Sequence, residues 1–237
     1  MEPAEYALMD ATEDQMWWYR ALHARIVAAL ANVRGSVLDA GCGTGGLLAR
    51  LAIRRPDLRL TGLEWFEAAS LRAAAKSGAT IVRGSINAAP FADASFDAVI
   101  AADLLCHLAV DPGLAAAEFR RVLRPGGRLV VNMPAYGWLL STHDRLVHNV
   151  RRHTARQLAT LLRQAGFARV RARYWNSLLL PVMIVQRKLL SRARTTSDVA
   201  PFPPRLDAIL HAVTELERHL PFVLPAGGSV LATAERA

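Results

Sequence analysis

Residues 37–48 read VLDAGCGTGGLL, a short apolar run that passes into a glycine-rich loop and then into the start of a helix. Gly41, Gly43 and Gly45 let the backbone turn sharply and let a ligand lie against the chain and the helix N-terminus. The loop also fits the pattern G-x-G-x-x-G of dinucleotide-binding folds. Glu64 ends the next predicted strand, where a carboxylate can accept hydrogen bonds from ribose hydroxyls. Together the loop and the acid predict a cofactor that contains a nucleoside.

On both sides of this loop, strand-like and helix-like stretches alternate. Short apolar runs predict seven strands, at 36–40, 58–64, 79–83, 96–102, 127–133, 168–174 and 228–234. Periodic apolar residues predict helices at 12–32, 45–54, 66–76, 112–123 and 154–166. Thr12 with Gln15, and Thr154 with Gln157, have the spacing of a capping box. We therefore expect an α/β fold, with a Rossmann-like, doubly wound and mostly parallel seven-stranded sheet.

The predicted organisation is a single domain over 1–237. Within it we expect an N-terminal helix that covers the cofactor (1–34), a Rossmann-like core (35–175) and a helical insertion before the last strand (176–224). The insertion holds helix-like stretches at 177–194 and 205–220 around the proline-rich link VAPFPP. Because the stretch 177–194 is apolar at first and basic at its end, it fits either a lid packed on the domain or a helix at a membrane surface.

The composition of the chain limits the compartment and the partners that we expect for the protein. The 237-residue chain is 52% hydrophobic, enough for a substantial core, and its N-terminus is acidic, unlike a signal peptide. No window reaches the ~20 apolar residues of a membrane span. Cys42 and Cys106 form no CxxC motif, so the cytoplasm is the expected compartment. The net charge of +9 rests almost wholly on arginine and concentrates in 151–205, which fits an anionic substrate, a membrane surface or a solvated basic face.

Three motifs in a fixed order identify a family. Asp39 extends the glycine loop to D-x-G-x-G-x-G, and the stretch PFADASFDAVIAADLLCHL (90–108) surrounds the fourth predicted strand. The stretch FRRVLRPGGRLVVNMP (119–134) forms a helix, a turn and the fifth strand. In order and spacing these resemble the motifs of class I S-adenosylmethionine-dependent methyltransferases, of the type related to ubiquinone biosynthesis. A Rossmann oxidoreductase that uses NAD would not account for the LRPGG turn.

The resemblance implies S-adenosyl-L-methionine as the cofactor and places its methionine part at the glycine loop. The residues that would hold this part are Asp39, Gly41, Cys42, Gly43 and Gly45. An acid at position 39 suits a ligand that bears an ammonium group. Further residues, Asp103, Leu104 and His107, would lie just past the fourth strand and near the reactive sulfonium.

The resemblance also implies how the nucleoside part would be bound. Glu64 would bind the ribose, and Trp65 beside it would stack on the adenine. Ser85 and Ile86, after the third strand, would flank the adenine edge. The family often carries an aspartate in the place of Ser85, so here the adenine amino group would meet a hydroxyl.

The aromatic stretch WWYR (17–20) is a candidate cover for the cofactor. The ring of Trp18 could lie near the sulfonium cation with a modest cation–π gain, and Arg20 could reach the cofactor carboxylate. The alternative is that Trp18 packs in the core while its neighbours are partly exposed.

The stretch STHDRLVHNVRRHT (141–154) is predicted to lie on the acceptor side, at the carboxyl ends of the strands. A general base is needed only if the acceptor must lose a proton, and the candidates are His107, His143, Asp144 and His148. His143 and Asp144 could orient each other, while the arginines at 151–152 could hold an anionic group or pin the loop. The histidines are spaced by five, which would point them apart on a helix, so no metal site is expected.

The sequence favours a small and hydrophobic methyl acceptor, such as a lipid-like, quinone-like or polyketide-like molecule. The turn N/D-P-P-Y, typical of enzymes that methylate base amines, is replaced by ADLL after the fourth strand. Nucleic acid is therefore an unexpected partner, although an RNA methyltransferase stays an alternative. A second alternative is a domain that binds the cofactor without turnover.

Overall fold

The computed structural model describes residues 3–187 and 202–237, and a seven-stranded sheet organises them. Its strand order is β3-β2-β1-β4-β5-β7-β6. The strands are β1 (Gly35–Ala40), β2 (Leu58–Glu64), β3 (Thr80–Arg83), β4 (Phe96–Ala102), β5 (Leu123–Pro134), β6 (Phe167–Trp175) and β7 (Ser229–Arg236). Neighbouring strands from β3 to β5 pair in parallel, and β7 is antiparallel to both β5 and β6. The predicted Rossmann-like sheet is confirmed.

Helices cover both faces of this sheet. They are α1 (Pro3–Thr12), α2 (Trp17–Ala29), α3 (Gly46–Arg54), α4 (Glu67–Ser77), α5 (Pro112–Val122), α6 (Thr142–Leu146), α7 (Ala155–Gln164), α8 (Leu180–Val185) and α9 (Pro204–Arg218). The side chains of β5 alternate between the two layers, as strand geometry requires. Leu129 packs in the layer of α5 and α7 with Phe119 and Leu158, and Val130 packs in the layer of α2 and α3 with Ile26.

The N-terminal region differs from the single helix predicted over 12–32, and that prediction is wrong. The chain forms α1, then a turn, then α2, which begins at Trp17. Thr12 does not cap α2, because its hydroxyl donates to the carbonyl of Leu8 across 2.7 Å at the end of α1. The second predicted capping box is confirmed, since the Thr154 hydroxyl accepts from the Gln157 backbone N–H at the start of α7.

The insertion before β7 consists of α8 and α9 as far as the structure describes it. The basic end of the predicted stretch 177–194, and the start of the VAPFPP link, lie outside the described residues. Helix α9 is fastened to α2, because Arg20 pairs with Asp207 at 3.3 Å and Arg25 donates to the Thr214 carbonyl at 2.7 Å. Among the described helices, none combines the length and apolar character needed to cross a membrane.

Candidate active site

A cavity of about 680 Å³ opens at the carboxyl ends of the parallel strands. Its volume lies in the range of ~300–1,000 Å³ that small-molecule sites occupy. Most predicted site residues line it: Trp18, Asp39, Gly41, Cys42, Gly43, Glu64, Trp65, Ser85, Ile86, Asp103, Leu104, His107, His143, Asp144 and His148. The fold therefore brings together, at one edge of the sheet, side chains that the sequence spreads over more than a hundred positions.

The glycine loop after β1 forms the floor of this cavity. Gly41 and Gly43 have φ angles of +75° and +55°, which favour glycine. A Cβ atom on Gly41 would lie 2.7 Å from Cδ1 of Leu104, so a larger residue would fill the floor. Gly45 does not line the cavity. Its missing side chain instead allows close packing on α4, where a Cβ would lie 2.7 Å from the Ala73 Cα.

Glu64 stands at the end of β2, beside the glycine loop. Its Oε2 accepts from the Gly43 backbone N–H at 3.0 Å, and its Oε1 accepts from the Phe66 N–H at 2.9 Å and the Tyr6 hydroxyl at 3.3 Å. An ionised carboxylate offers about four acceptor sites, so these three donors fix the group and leave room for a ligand donor. Burial raises the pKa of Glu64 above its usual range.

Asp39 carries a second buried carboxylate at the same place. It is only 2% exposed, and burial together with the nearby charges of Glu13 and Glu64 raises its pKa to about 7. Glu13 accepts hydrogen bonds from the Thr44 hydroxyl at 2.7 Å and from Lys76 at 2.6 Å. Three carboxylates thus surround the loop, and within residues 3–187 and 202–237 a cation, Lys76, pairs with Glu13 but none pairs with Asp39 or Glu64. The unbalanced negative charge favours a cationic ligand.

Helix α1 and the residue that follows it supply cavity residues that the sequence does not predict. Tyr6, Met9 and Glu13 all line the cavity, and the Tyr6 ring stacks on Phe66 with centroids 4.9 Å apart. Asp10 on the same helix pairs with Lys76 of α4 at 2.8 Å. The available signal was the i, i+3, i+7 spacing of these three residues, which places them on one helix face.

The aromatic stretch at the start of α2 forms a wall of the cavity. Trp17 and Trp18 both line it, and Trp18 stacks on Trp175 with centroids 5.9 Å apart. Arg20 corrects a prediction, because its side chain does not line the cavity. Its guanidinium points to Asp207 of α9 and fastens the insertion to α2. A contact from Arg20 to a cofactor carboxylate has no support in this arrangement.

Past β4, the chain turns at Asp103, whose φ of +51° is unusual for a residue with a side chain. Oδ1 of Asp103 accepts from Nδ2 of Asn132 at 2.8 Å. Burial raises the pKa of Asp103 to about 6, against the opposing effects of the Asn132 hydrogen bond and the charge of Arg152. The carboxylate is therefore held in one place at the cavity wall.

The stretch 141–154 folds over the other end of the cavity, and arginines fasten it. Asp144 is 1% exposed and accepts from Nη2 of Arg152 at 2.8 and 2.9 Å and from the Ser141 N–H at 2.8 Å. These donors hold the pKa of Asp144 below its usual range despite its burial. Arg151 donates to the His107 carbonyl at 2.6 Å. Of the two roles considered for these arginines, pinning the loop is the one that the contacts support.

His107 lies between this loop and the end of β4. Burial lowers the pKa of its imidazole to about 4, although a hydrogen bond with the Val147 backbone opposes the shift. The ring is therefore neutral at pH 7. His143 and His148 also line the cavity from the loop. Within residues 3–187 and 202–237, no three His, Cys, Asp or Glu side chains are grouped as a metal site would require.

Comparison with known proteins assigns the family. Residues 38–131 match the family model described as a methyltransferase domain. The chain is 32% identical over 179 residues to a ubiquinone/menaquinone biosynthesis C-methyltransferase of Paracoccus denitrificans, covering 62% of this chain and 70% of that protein. The chain belongs to the class I S-adenosylmethionine-dependent methyltransferases. As in other members of this methyltransferase family, the cofactor is S-adenosylmethionine.

Two further comparisons concern the length and the fold of this methyltransferase. An uncharacterised 37.1 kDa transposon protein of Streptomyces fradiae is 35% identical, over 70% of this chain and 53% of that protein. The chain thus spans from about half to 70% of the length of these curated relatives. A solved S-adenosylmethionine-dependent methyltransferase of Thermotoga maritima superposes with a TM-score of 0.63 at 18% identity, over 99% of this chain and 96% of that one. This last likeness concerns the fold alone.

The residues of this methyltransferase fit its cofactor on two observations. The loop at Gly41 and Gly43 is a cradle that a Cβ atom would fill, as a ligand lying against the backbone needs. Beside it, Asp39 and Glu64 are buried carboxylates that form no ion pair with any residue the structure describes, and the cofactor carries both an ammonium and a sulfonium group. When bound, the cofactor supplies an electrophilic methyl group.

Proposed function

We propose that this protein transfers a methyl group from S-adenosylmethionine to a small and largely apolar molecule. The observation that supports the proposal best is the unbalanced pair of buried carboxylates, Asp39 and Glu64, beside a glycine floor at one end of the cavity. This field would repel the anionic pyrophosphate of a dinucleotide, although Glu64 could still bind its ribose. A ligand with an ammonium and a sulfonium group would be stabilised by it.

The residues of the chain act mainly by holding the two reactants in line. In the proposed arrangement Asp39 binds the ammonium of the cofactor and Glu64 binds the ribose hydroxyls. Trp65, which is 71% exposed at the cavity mouth, would cover the adenine beside Ser85 and Ile86. Alignment of this kind can lower the activation free energy by up to ~7–11 kcal/mol. It requires that water be kept out of the site.

The surface of the cavity as a whole is mostly apolar, and its acceptor end presents apolar and aromatic side chains beside the polar residues of the loop 141–154. Trp17 packs on Leu179 of the insertion, and Met183 and Phe202 line the same region. Similar proteins include O-methyltransferases, a sterol 24-C-methyltransferase and a demethylmenaquinone methyltransferase. These names support an acceptor with a hydrophobic body for this chain as well. The arginines at 151–152 contact the protein itself and pin the loop 141–154. An anionic group on the acceptor therefore stays a prediction that rests on the positive charge of the sequence.

A thermal-shift experiment tests the cofactor. We expect S-adenosylmethionine and S-adenosylhomocysteine to stabilise the protein, by about 2.7 kcal/mol at 100 times the dissociation constant, and NAD to have no effect. Stabilisation by NAD alone would contradict the proposal. The variant Glu64→Ala should lose most of the cofactor affinity.

Labelled-methyl transfer then tests the activity. Purified protein with methyl-labelled S-adenosylmethionine is offered separated metabolite, lipid and RNA fractions of a cell extract. We expect label in one metabolite or lipid fraction, which we call the acceptor fraction. Label in RNA would favour the alternative of an RNA methyltransferase, and binding without label in any fraction would favour a domain that binds the cofactor without turnover.

The proposal also includes the organisation of the chain, its location and its contact with a membrane. The division into a cover (1–34), a core (35–175) and an insertion (176–224), and a cytoplasmic location, stay predictions from the sequence. Contact of 177–194 with a membrane surface also stays a prediction. It is supported by the exposure of Val182 and Val185 on α8, at 59% and 48%.

A further inference from the structure

A chain of buried polar contacts runs through the sheet and ends at Asp103. Trp175, at the end of β6, donates its indole N–H to Oδ1 of Asn132 on β5 across 2.8 Å. Asn132 in turn donates through Nδ2 to Oδ1 of Asp103, also across 2.8 Å. Because an indole nitrogen can only donate, it determines which end of the Asn132 amide faces Asp103. The amide therefore always presents a donor to the carboxylate.

The start of this chain of contacts is rigid. Trp175 is 3% exposed, and its ring contacts both the ring of Trp18 and the guanidinium of Arg25, which is 4.6 Å from the ring centroid. Asn132 is 1% exposed. The backbone of Asp103 is fixed as well, since its N–H donates to the Asn132 carbonyl at 3.0 Å. Three elements of the fold thus hold one carboxylate at the cavity wall.

The position of Asp103 is on the acceptor side of the cavity. The segment that follows it is joined to the loop 141–154, since the Leu108 N–H donates to the His148 carbonyl at 2.9 Å and the Cys106 thiol donates to Oδ1 of Asn149 at 3.1 Å. The charges that act on the Asp103 carboxyl, besides its burial, are those of Arg152 and Asp144 in the same loop. The charges that act on Asp39 are instead Glu13 and Glu64, beside the glycine loop. The buried Asp39 and the half-buried Asp103 therefore belong to different halves of the site.

We infer that Asp103 is the catalytic proton acceptor, which takes the proton of a hydroxyl or amine on the methyl acceptor, and that Asn132 is its positioning residue. This inference rests on the proposed function. The acceptor oxygen or nitrogen gains the methyl carbon and loses its proton to the Asp103 carboxylate. The electron pair of the broken carbon–sulfur bond stays on sulfur. The protonated carboxyl then returns its proton to solvent through the open cavity.

Asp103 suits this role better than two other candidates of the cavity, Asp144 and His107. Asp144 is committed to Arg152 and to the loop backbone. The buried imidazole of His107, with a pKa of about 4, is a weak base. Asp103, with a pKa of about 6, is ionised at neutral pH and still basic enough to take a proton there.

A carboxyl titration tests the inference without turnover. The protein is labelled with ¹³C at aspartate carboxyls, and the Asp103 signal is assigned by its loss in Asp103→Asn. Asparagine tolerates the positive φ at this position, so the variant should keep the fold. We expect the Asp103 carboxyl to titrate near pH 6 and to move to higher pH in Asn132→Ser, which loses the donor that stabilises the ionised form. Titration near the ordinary value of about 3.9 would overturn the inference.

Methyl transfer to the acceptor fraction provides the second readout. We expect the wild-type rate to rise through pH 6 to a plateau, and Asp103→Asn to lower the rate by ~10²–10⁴-fold and abolish that rise. Asn132→Ser should shift the rise to higher pH while the affinity for S-adenosylhomocysteine stays within about threefold. Asp93→Asn, the same change at an exposed aspartate, should leave both unchanged.

Two activity results would contradict the inference. If Asp103→Asn keeps the wild-type pH profile, or more than about a tenth of the wild-type rate, then another group takes the proton. Absence of label in every fraction with the wild-type protein would overturn the proposed function, and with it the role of Asp103. The carboxyl titration separates these cases, because it does not depend on turnover.

Discussion

The affinity of the cofactor should fall as the pH falls below 7, and Asp39 should be the cause. Its folded-state pKa is raised to about 7, so the protonated and neutral form predominates below that pH. A ligand ammonium binds the ionised form, so binding at low pH must expel a proton. With a pKa of about 7, the ionised fraction is about 0.5 at pH 7 and about 0.01 at pH 5, which predicts an affinity about 50-fold lower at pH 5.

Isothermal titration with S-adenosylhomocysteine measures this effect without turnover. Titrations at pH 5, 6 and 7, each in two buffers of different ionisation enthalpy, give both the dissociation constant and the number of protons released. We expect about one proton to be released at pH 5 and about half a proton at pH 7. This range keeps the ligand amine protonated, since α-amino groups titrate near ~7.7–8.0.

Two variants decide whether Asp39 carries the effect. Asp39→Asn should bind weakly at every pH and show no dependence between pH 5 and 7. Asp57→Asn makes the same change at an acid whose pKa is lowered to about 2, so it should keep the full dependence. A flat profile in the wild-type protein would refute the reasoning, and so would an unchanged slope in Asp39→Asn, which would assign the titration to Glu13 or Glu64.

Three further predictions concern stability and packing. In the ligand-free protein at pH 8, Asp39→Asn should raise the melting temperature, because a buried carboxyl with a pKa near 7 costs up to about 4 kcal/mol once ionised, and this cost is absent below pH 4. Asp144→Ala should lower the free energy of unfolding by ~3–5 kcal/mol in urea titration, since it leaves the buried Arg152 without its partner. Gly41→Ala should abolish S-adenosylhomocysteine binding in calorimetry, because its Cβ would press on Leu104 at a positive φ; normal binding would contradict the proposed cradle.

The strands could be predicted from sequence where burial on both faces of a parallel sheet requires a continuous run of apolar residues. Strand β4 has the predicted bounds because FDAVIAA is a nearly continuous apolar run between Ser95 and Asp103. Strand β2 also has the predicted bounds, although LRLTGLE includes the exposed Arg59. Helix α1 was missed because it is only ten residues long and begins within a sequence of low apolar periodicity. The spacing of Thr12 and Gln15 misled the prediction, since a threonine at the end of one helix resembles one at the start of the next.

Some residues of the candidate site could be predicted because they lie close together in the sequence, and others could not because their partners are distant in the sequence. The glycine loop, Asp39 and Glu64 lie within one strand–helix–strand unit, so a short motif identifies them. The contact of Arg20 with Asp207 joins positions 187 residues apart, and nothing in the stretch WWYR indicates it. The contact between Asn132 and Asp103 likewise depends on the pairing of β4 with β5, which brings Ala102 beside Asn132. Such partners become visible only when the register of the sheet is known.

The buried acids of the cavity also link cofactor binding to stability. Asp39 and Glu64 are unfavourable while ionised and without a cation, and a bound ammonium removes that cost. The stabilisation by S-adenosylhomocysteine should therefore be larger at pH 7 than at pH 5 in a thermal-shift series. 5′-Methylthioadenosine is a matched control, because it keeps the nucleoside and the sulfur but lacks the amino-acid ammonium. It should stabilise the protein less and almost equally at both pH values, since only Glu64 would still contact it. An equal pH dependence for both ligands would mean that the titrating carboxylate contacts the nucleoside part of the ligand. The assignment of Asp39 to the ammonium would then have to be abandoned.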